Sequence, residues 1–365
     1  MTNSSVYVVD ALRTPVGKYG GTLASVRPDD MAAFVIKSLI ERNAGIDFSA
    51  VDEVIFGAAN QAGEDNRNVA RMASLLAGLP IEVPGYTINR LCASGLQSYM
   101  NALMAIGSGN AEMIIAGGTE SMSRAPFVMA KSETAYNRVP EIYDTTIGWR
   151  FTNDKLAEMY FPYAMGETAE NVAEKWGITR LEQDEFAFNS QSKYQAAHEA
   201  GKFSDELVSY TIPLRKKDSL IFDKDEHPRL SSVEVLGGLR AAFREGGSVT
   251  AGNSSGVNDG AATALIVSEE ALKKYNLTPM ARIVSIGAAG VDPACMGIGP
   301  VPATRKALKK AGLSTKDLGL VELNEAFASQ SIACMRELDL NPDIVNVNGG
   351  SIAIGHPLGA SGARI

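Results

Sequence analysis

The sequence predicts an α/β protein in which layered sheets are covered by helices, and three observations predict it. Short apolar runs bounded by turn residues alternate with amphipathic helical stretches in the first and last thirds. Residues 121–245 break that alternation. The two flanking thirds share a weak internal repeat, in which a strand leads through Ala-Ser-Gly into a helix. At 365 residues the chain exceeds what one ordinary core needs, so more than one unit is expected.

Residues 5–10 (SVYVVD) and 52–56 (DEVIF) read as strands. Residues 29–43 (DDMAAFVIKSLIERN) have helical periodicity with Asp at the start. A helix near 66–77, a strand near 85–89, a helix over 92–106 and a strand at 112–116 (EMIIA) follow. Residues 121–245 hold both Trp residues, irregular polar stretches and two charged helices near 167–176 and 181–200. They read as an inserted lid rather than as part of the central sheets. The alternation resumes with strands at 262–267, 281–287, 319–323 and 344–347 and helices from 268, at 301–311 and at 325–338. NRLCASGLQS in the first third and GHPLGASGARI at the end are the repeated segments. The predicted units are therefore 1–120, 121–245 and 246–365, the last reading as incomplete against its partner half.

A net charge of −8 argues against a non-specific nucleic-acid binder, which carries a basic footprint. No apolar run approaches the 18 residues of a membrane helix. The N-terminus shows no charged region followed by an apolar stretch, so no signal peptide is expected. Three cysteines, Cys92, Cys295 and Cys334, lie far apart without C-x-x-C spacing. That pattern predicts a reducing compartment, with the cytoplasm as default, and neither disulfide nor metal site.

Cys92 stands in N-R-L-C-A-S-G between a predicted strand and a predicted helix. A thiol at a helix N-terminus is expected to be stabilised as thiolate. Taken alone it reads as well as an ordinary buried cysteine. His356 in G-H-P-L-G is held extended by the following Pro. His198, on a charged helix, and His227, in a polar loop, read as non-catalytic. Asn324 and Glu325 stand at a strand-to-helix junction, where Asn suits an N-cap and Glu the first turn. Alternatively, Asn324 is presented to a site. The Gly/Asn/Ser-rich loop 250–260 is either a turn or a ligand contact. No dinucleotide or ATP fingerprint occurs.

Together, NRLCASG, TAGNSSGVNDGAA, NEAFA and GHPLGASGAR, in this order, resemble the thiolase family. DALRTPVGKYGG and AGGTESMSRAP do so too. The resemblance implies a five-layer αβαβα fold of two similar halves with an inserted loop domain. It implies an acyltransferase that cleaves 3-ketoacyl-CoA, or runs the reverse Claisen condensation, through an acyl-Cys92 thioester. His356 matches the histidine that deprotonates this Cys, and Asn324 the residue that holds an oxyanion-hole water. Ser255 and Met165 match pantetheine contacts, and Arg229 falls near a CoA-phosphate contact. No cofactor beyond coenzyme A and a homotetramer or homodimer are implied. A second cysteine in a C-x-G-x-G segment belongs to the family pattern and does not occur through Ile365, so a longer chain carrying it is expected. Ala164 replaces the His that biosynthetic acetoacetyl-CoA thiolases usually place before this Met. NQAGEDNRNVARMASLLAGLP and IYDTTIGWRF look like thiolases that cleave 3-oxoadipyl-CoA. The alternatives are a thiolase-like acyl-CoA-binding protein without turnover and a ketoacyl synthase.

Overall fold

The computed structural model describes residues 5–214 and 218–365. Its strands are β1 (Val6–Arg13), β2 (Gly17–Lys18), β3 (Glu53–Gly57), β4 (Gly85–Ile88), β5 (Met113–Ser121), β6 (Phe127–Met129), β7 (Ile142–Asp144), β8 (Tyr210–Ile212), β9 (Leu220–Phe222), β10 (Asn258–Ser268) and β11 (Ala281–Arg282). Seven form one mixed sheet in the order β11-β1-β10-β5-β3-β4, with β2 beside β10. The pairs of β1 with β10 and β10 with β5 are antiparallel, whereas β3 runs parallel to both β5 and β4.

The central strands β5 and β10 are buried along their whole length. Their unbroken apolar runs, MIIA and ATALIV, are what burial on both faces demands. Alternate side chains serve different cores. Val54, Phe56, Met113, Ile115, Leu265 and Val267 pack under the helices Pro28–Arg42 and Val69–Leu76. Ile55, Ile114, Ala116 and Ile266 face the opposite way, with Ala102 and Ile106 of the helix Ser94–Gly107.

The repeated Ala-Ser-Gly segments meet in space. The first opens the helix Ser94–Gly107, the second lies within the helix Leu358–Arg364, and the two helices pack on each other. A Cβ on Gly95 would come within 2.6 Å of the Ala363 nitrogen, and one on Gly362 within 2.4 Å of the Leu96 nitrogen. Equivalent glycines thus touch equivalent backbone atoms of the opposite helix. Close approach of the two helices is why Gly is required at both positions.

Among the described residues, 122–245 contribute no strand to the seven-stranded sheet. They form the hairpins β6–β7 and β8–β9 and the helices Asp154–Met159, Met165–Lys175, Arg180–Glu199 and Val233–Gly237. The two charged helices do more than cover a surface: both pack against the helix Ala328–Leu338.

Three expected strands differ. Of residues 281–287 only Ala281–Arg282 joins the sheet. Beyond it, Ser285 Oγ donates to the Ala307 carbonyl, and Lys306 and Lys310 of the helix Pro300–Ala311 donate to the carbonyls of Ala288 and Ile286. Residues 319–323 and 344–347 make one parallel bridge, Val321 to Val345. Pro342 opens a 3-10 turn, and Asn346 at φ 46° turns the chain out of extended geometry directly after that bridge. The expected helix over 325–338 starts at Ala328 with Phe327 as its N-cap. Asn324 and Glu325 therefore do not cap it, and their side chains are engaged elsewhere.

Candidate active site

Cys92 sits two residues before the helix Ser94–Gly107, after a sharp turn that places Leu91 at φ 48°. That conformation is costly for a leucine and persists only when its surroundings over-determine it. Here they do. Asn89 accepts from the Leu91 N–H at 2.9 Å and donates to the Ala59 carbonyl at 2.8 Å. Ser94 Oγ accepts from the Arg90 N–H at 2.8 Å and donates to the Leu91 carbonyl at 2.7 Å. The thiol is half-buried. Burial pushes it up to about 11, and the Glu120 charge adds to the rise. This corrects the expected thiolate: desolvation outweighs the helix end, and Cys92 rests as a thiol.

His356 is buried beside the opening of the helix Leu358–Arg364. Its N–H donates to Asn258 Oδ1 at 2.8 Å, and Asn258 Nδ2 donates to the Gly17 carbonyl at 3.0 Å. Nδ1 lies 2.6 Å from Ser361 Oγ, which already donates to the Pro357 carbonyl at 3.0 Å. Ser361 therefore accepts from Nδ1–H, which leaves Nε2 with a free lone pair. Asn324 Nδ2 approaches that lone pair at 3.4 Å, while Asn324 Oδ1 accepts from Ser351 Oγ at 2.7 Å. Burial, with Arg364 nearby, pushes the imidazole down to about 4, so it rests neutral. A neutral imidazole whose unprotonated Nε2 meets only the long contact from Asn324 can accept a proton.

Glu120 and Glu325 brace these loops, and sequence reasoning gave neither a role here. Glu120, at the end of β5, accepts from the N–H groups of Ala59, Asn60 and Gly359 at 2.9, 3.1 and 2.8 Å. Glu325 is fully buried and accepts from Ser190 Oγ, Asn346 Nδ2 and the Ile352 N–H at 2.6, 2.8 and 3.2 Å. The available signal was a charge at the end of an apolar run, after EMIIA in AGGTES and after GLVEL in NEAFA.

The remaining predicted residues, Ser255, Met165 and Arg229, lie on three different segments. Ser255 donates its N–H to the Ala326 carbonyl at 2.9 Å, two residues from Asn324. Its loop is anchored by Asn253, which donates to Asp184 at 2.9 Å. Met165 is two-fifths exposed and opens the helix Met165–Lys175. A Cβ on the next residue, Gly166, would strike the Phe243 ring at 2.1 Å, and Phe243 meets Phe327 edge-on at 6.2 Å. Arg229 is exposed; it donates to the Ala251 carbonyl at 2.6 Å and lies 2.6 Å from His227 Nε2. The ring of His227 presses on Gly256, so this residue is half-buried beside the loop rather than free in a polar turn. His198 is exposed, as expected, and Cys295 and Cys334 are buried. A cleft of about 620 Å³ lies between Tyr160, Phe161 and Tyr163 and the segment around Asp292 and Pro293; none of the predicted site residues lines it. Among the described residues no cluster of His, Cys, Asp or Glu could hold a metal, and no helix is long and apolar enough to cross a membrane.

Residues 6–270 match the family model for the thiolase N-terminal domain, and residues 277–365 match that for the thiolase C-terminal domain. The chain belongs to the thiolase family. It is 55% identical to the beta-ketoadipyl-CoA thiolase of Acinetobacter baylyi over 362 residues, 98% of this chain and 90% of that protein. It is 53% identical, with the same coverage, to the 3-oxoadipyl-CoA/3-oxo-5,6-dehydrosuberyl-CoA thiolase of Escherichia coli. Among solved structures, the acetyl-CoA acetyltransferase of Bacillus anthracis superposes with a TM-score of 0.93 at 44% identity, covering 100% of this chain and 90% of that one. Human mitochondrial 3-ketoacyl-CoA thiolase in complex with CoA does so with a TM-score of 0.91, also at 44% identity and the same coverage.

The fold is that of the thiolases, and the chain is a thiolase-family acyltransferase. Within that thiolase fold the paired Ala-Ser-Gly helices bring the Cys92 and His356 segments together. A Cβ on Gly95 would lie 2.8 Å from the Gly359 carbonyl oxygen, three residues beyond His356.

Proposed function

We propose that this thiolase cleaves 3-oxoadipyl-CoA with free CoA, through an acyl group carried on Cys92. The observation that carries the assignment of roles is the directed, unprotonated Nε2 of His356 beside Asn324. Cys92 passes its proton to Nε2 as its sulfur attacks C3 of the substrate. The C2–C3 bond breaks, its electron pair stays on C2, C2 takes the proton now held on Nε2, and acetyl-CoA departs. The thiol of CoA then gives its proton to the neutral Nε2 and attacks the acyl-Cys92 carbonyl; the bond to the Cys92 sulfur breaks, succinyl-CoA leaves, and the sulfur takes the proton back from Nε2 as the free thiol. Burial raises the thiol and lowers the imidazole, so both rest uncharged and no ion pair is formed in advance of the attack.

Asn324 holds a water, or the thioester oxygen itself, in an oxyanion hole with His356. Ser255 and Met165 contact pantetheine, and Arg229 the CoA phosphates. The chemistry needs no metal or redox group beyond CoA. The names of the Acinetobacter and Escherichia relatives support the 3-oxoadipyl substrate, as do Ala164 and the IGWRF stretch. The reading includes units 1–120, 121–245 and 246–365, a homodimer or homotetramer, and a cytoplasmic enzyme.

Intact-mass spectrometry after incubation with 3-oxoadipyl-CoA, with Cys92→Ala in parallel, tests this. A succinyl adduct on the wild type that is absent from Cys92→Ala and discharged by CoA supports it. Faster thiolysis of acetoacetyl-CoA than of 3-oxoadipyl-CoA would sink the substrate assignment.

A further inference from the structure

We propose that Glu120 is a positioning residue that sets the reactivity of Cys92, by bracing with one carboxylate both the turn that carries Cys92 and the loop that carries His356. The inference rests on the roles given to those two residues above, and it starts from an anomaly. Glu120 is 3% exposed at the end of a wholly buried strand, and no cation pairs with it among the described residues. A buried carboxylate is held there only if hydrogen bonds replace its water.

The three that do so come from two loops. Oε2 accepts from Ala59 and from Gly359, and Oε1 accepts from Asn60. Ala59 continues the brace towards the nucleophile: its carbonyl accepts from Asn89, whose other side-chain atom fixes the N–H of strained Leu91. Gly359 continues it towards the base, since it follows His356 by three residues. A Cβ on Gly359 would lie 2.4 Å from the Thr119 carbonyl and 2.8 Å from that of Gly57, so the loop is seated directly on the strand ends. One oxygen, Oε2, therefore sets the spacing between the two segments.

The same carboxylate is close enough for its charge to oppose a negative Cys92. Glu120 shares the lining of a small cavity with Asp65, Glu64 and Arg124, and Arg124 is already paired with Glu64 at 2.5 Å. Burial, with the Asp65 charge adding, pushes Glu120 up to about 7. The brace thus works near the point at which it gains a proton.

Two substitutions separate reach from charge. Glu120→Gln keeps the length and one acceptor but turns an amide NH2 towards the Asn60 N–H. Glu120→Asp keeps the charge and withdraws it by one methylene. The readouts are kcat, KM for the acyl-CoA, and the pH midpoint for alkylation of Cys92 by iodoacetamide, read by peptide mass. Both variants should lose roughly tenfold or more in kcat with little change in KM, as expected for a misplaced pair. Only Glu120→Gln should move the Cys92 midpoint to lower pH. A merely structural role predicts no midpoint shift in a folded Glu120→Gln. Wild-type kcat and midpoint in both variants would overturn the proposal. If neither variant folds, Asn89→Ala cuts the brace one link away; wild-type kcat there would also overturn it. Absence of an acyl adduct in the wild type would sink the reading of Cys92 as nucleophile, whereas the alkylation midpoints report on Glu120 independently.

Discussion

Substituting Gly95 by Ala tests whether the packing of the two Ala-Ser-Gly helices positions the site. The new Cβ would lie 2.6 Å from the Ala363 nitrogen and 2.8 Å from the Gly359 oxygen, where ordinary contact begins at 3.4 Å. Both are backbone atoms, so no side chain can swing aside. Relief requires the helices Ser94–Gly107 and Leu358–Arg364 to part by roughly 0.8 Å. Overpacking of this kind costs about 1–3 kcal/mol. The parting acts along the line between the Cys92 and His356 segments, and a displacement near 1 Å costs up to about 100-fold in rate. Gly107→Ala is the matched control. It lies on the same helix with nothing within 4 Å of the added Cβ. It should leave kcat unchanged and stabilise by about 0.4–1 kcal/mol through the unfolded chain. Urea unfolding and steady-state thiolysis read both. A Gly95→Ala enzyme within about 0.5 kcal/mol and twofold of wild type would refute the argument that this contact sets the geometry.

Gly166→Ala drives a methyl into the Phe243 ring, which must swing out, so KM for the acyl-CoA should rise while the Cys92 alkylation rate stays that of wild type. Asp225→Asn breaks the buried pair with Arg13, held at 2.7 and 3.1 Å, and should cost about 3–5 kcal/mol in urea unfolding without a change in kcat/KM per folded enzyme. Stability against pH should separate His356 from Glu120. His356 is lowered from 6.5 to about 4, so the unfolded state binds the extra proton between these values; its stabilisation is complete above 6.5 and is lost as pH falls towards 4, by about 3 kcal/mol at most. Glu120 is raised from 4.5 to about 7, so its contribution runs the other way and is lost as pH rises from 4.5 to 7. Between pH 5 and 6.5 the slope of unfolding free energy should therefore turn more positive in Glu120→Gln and more negative in His356→Gln. Parallel slopes in all three proteins would show that neither group is perturbed as described.

The sheet was legible where one segment carries its own instruction. EMIIA and ATALIV read as strands and form the two central ones, and the helical periods at 29–43 and 181–200 placed helices within a few residues. The segments 319–323 and 344–347 have the same apolar look yet pair at one bridge, because a strand is a property of its neighbour as much as of its sequence. Local pattern misled at NEAFA for a related reason. Asn and Glu suit a helix start, but Ser351, Asn346 and Ile352, all more than twenty residues away, engage those side chains instead.

Cys92 and His356 stand out as candidates because cysteine and histidine are rare residue types, and the sequence holds three of each. The residues that hold them were not, because their partners are main-chain groups. Ala59, Asn60 and Gly359 bind Glu120 through N–H groups that every residue except proline possesses, so no pairing of side chains marks the contact. The thiol's protonation state was hidden for the same reason. A Cys before a helix suggests thiolate, yet the outcome turns on how much water the folded turn excludes and on a carboxylate 28 positions along the chain. A carboxylate charge near the Cys92 thiol opposes thiolate formation. It makes sense if catalysis needs the proton handed to His356 during attack: a thiol held protonated keeps Nε2 free until substrate arrives. An ion pair formed in advance would have used that lone pair already.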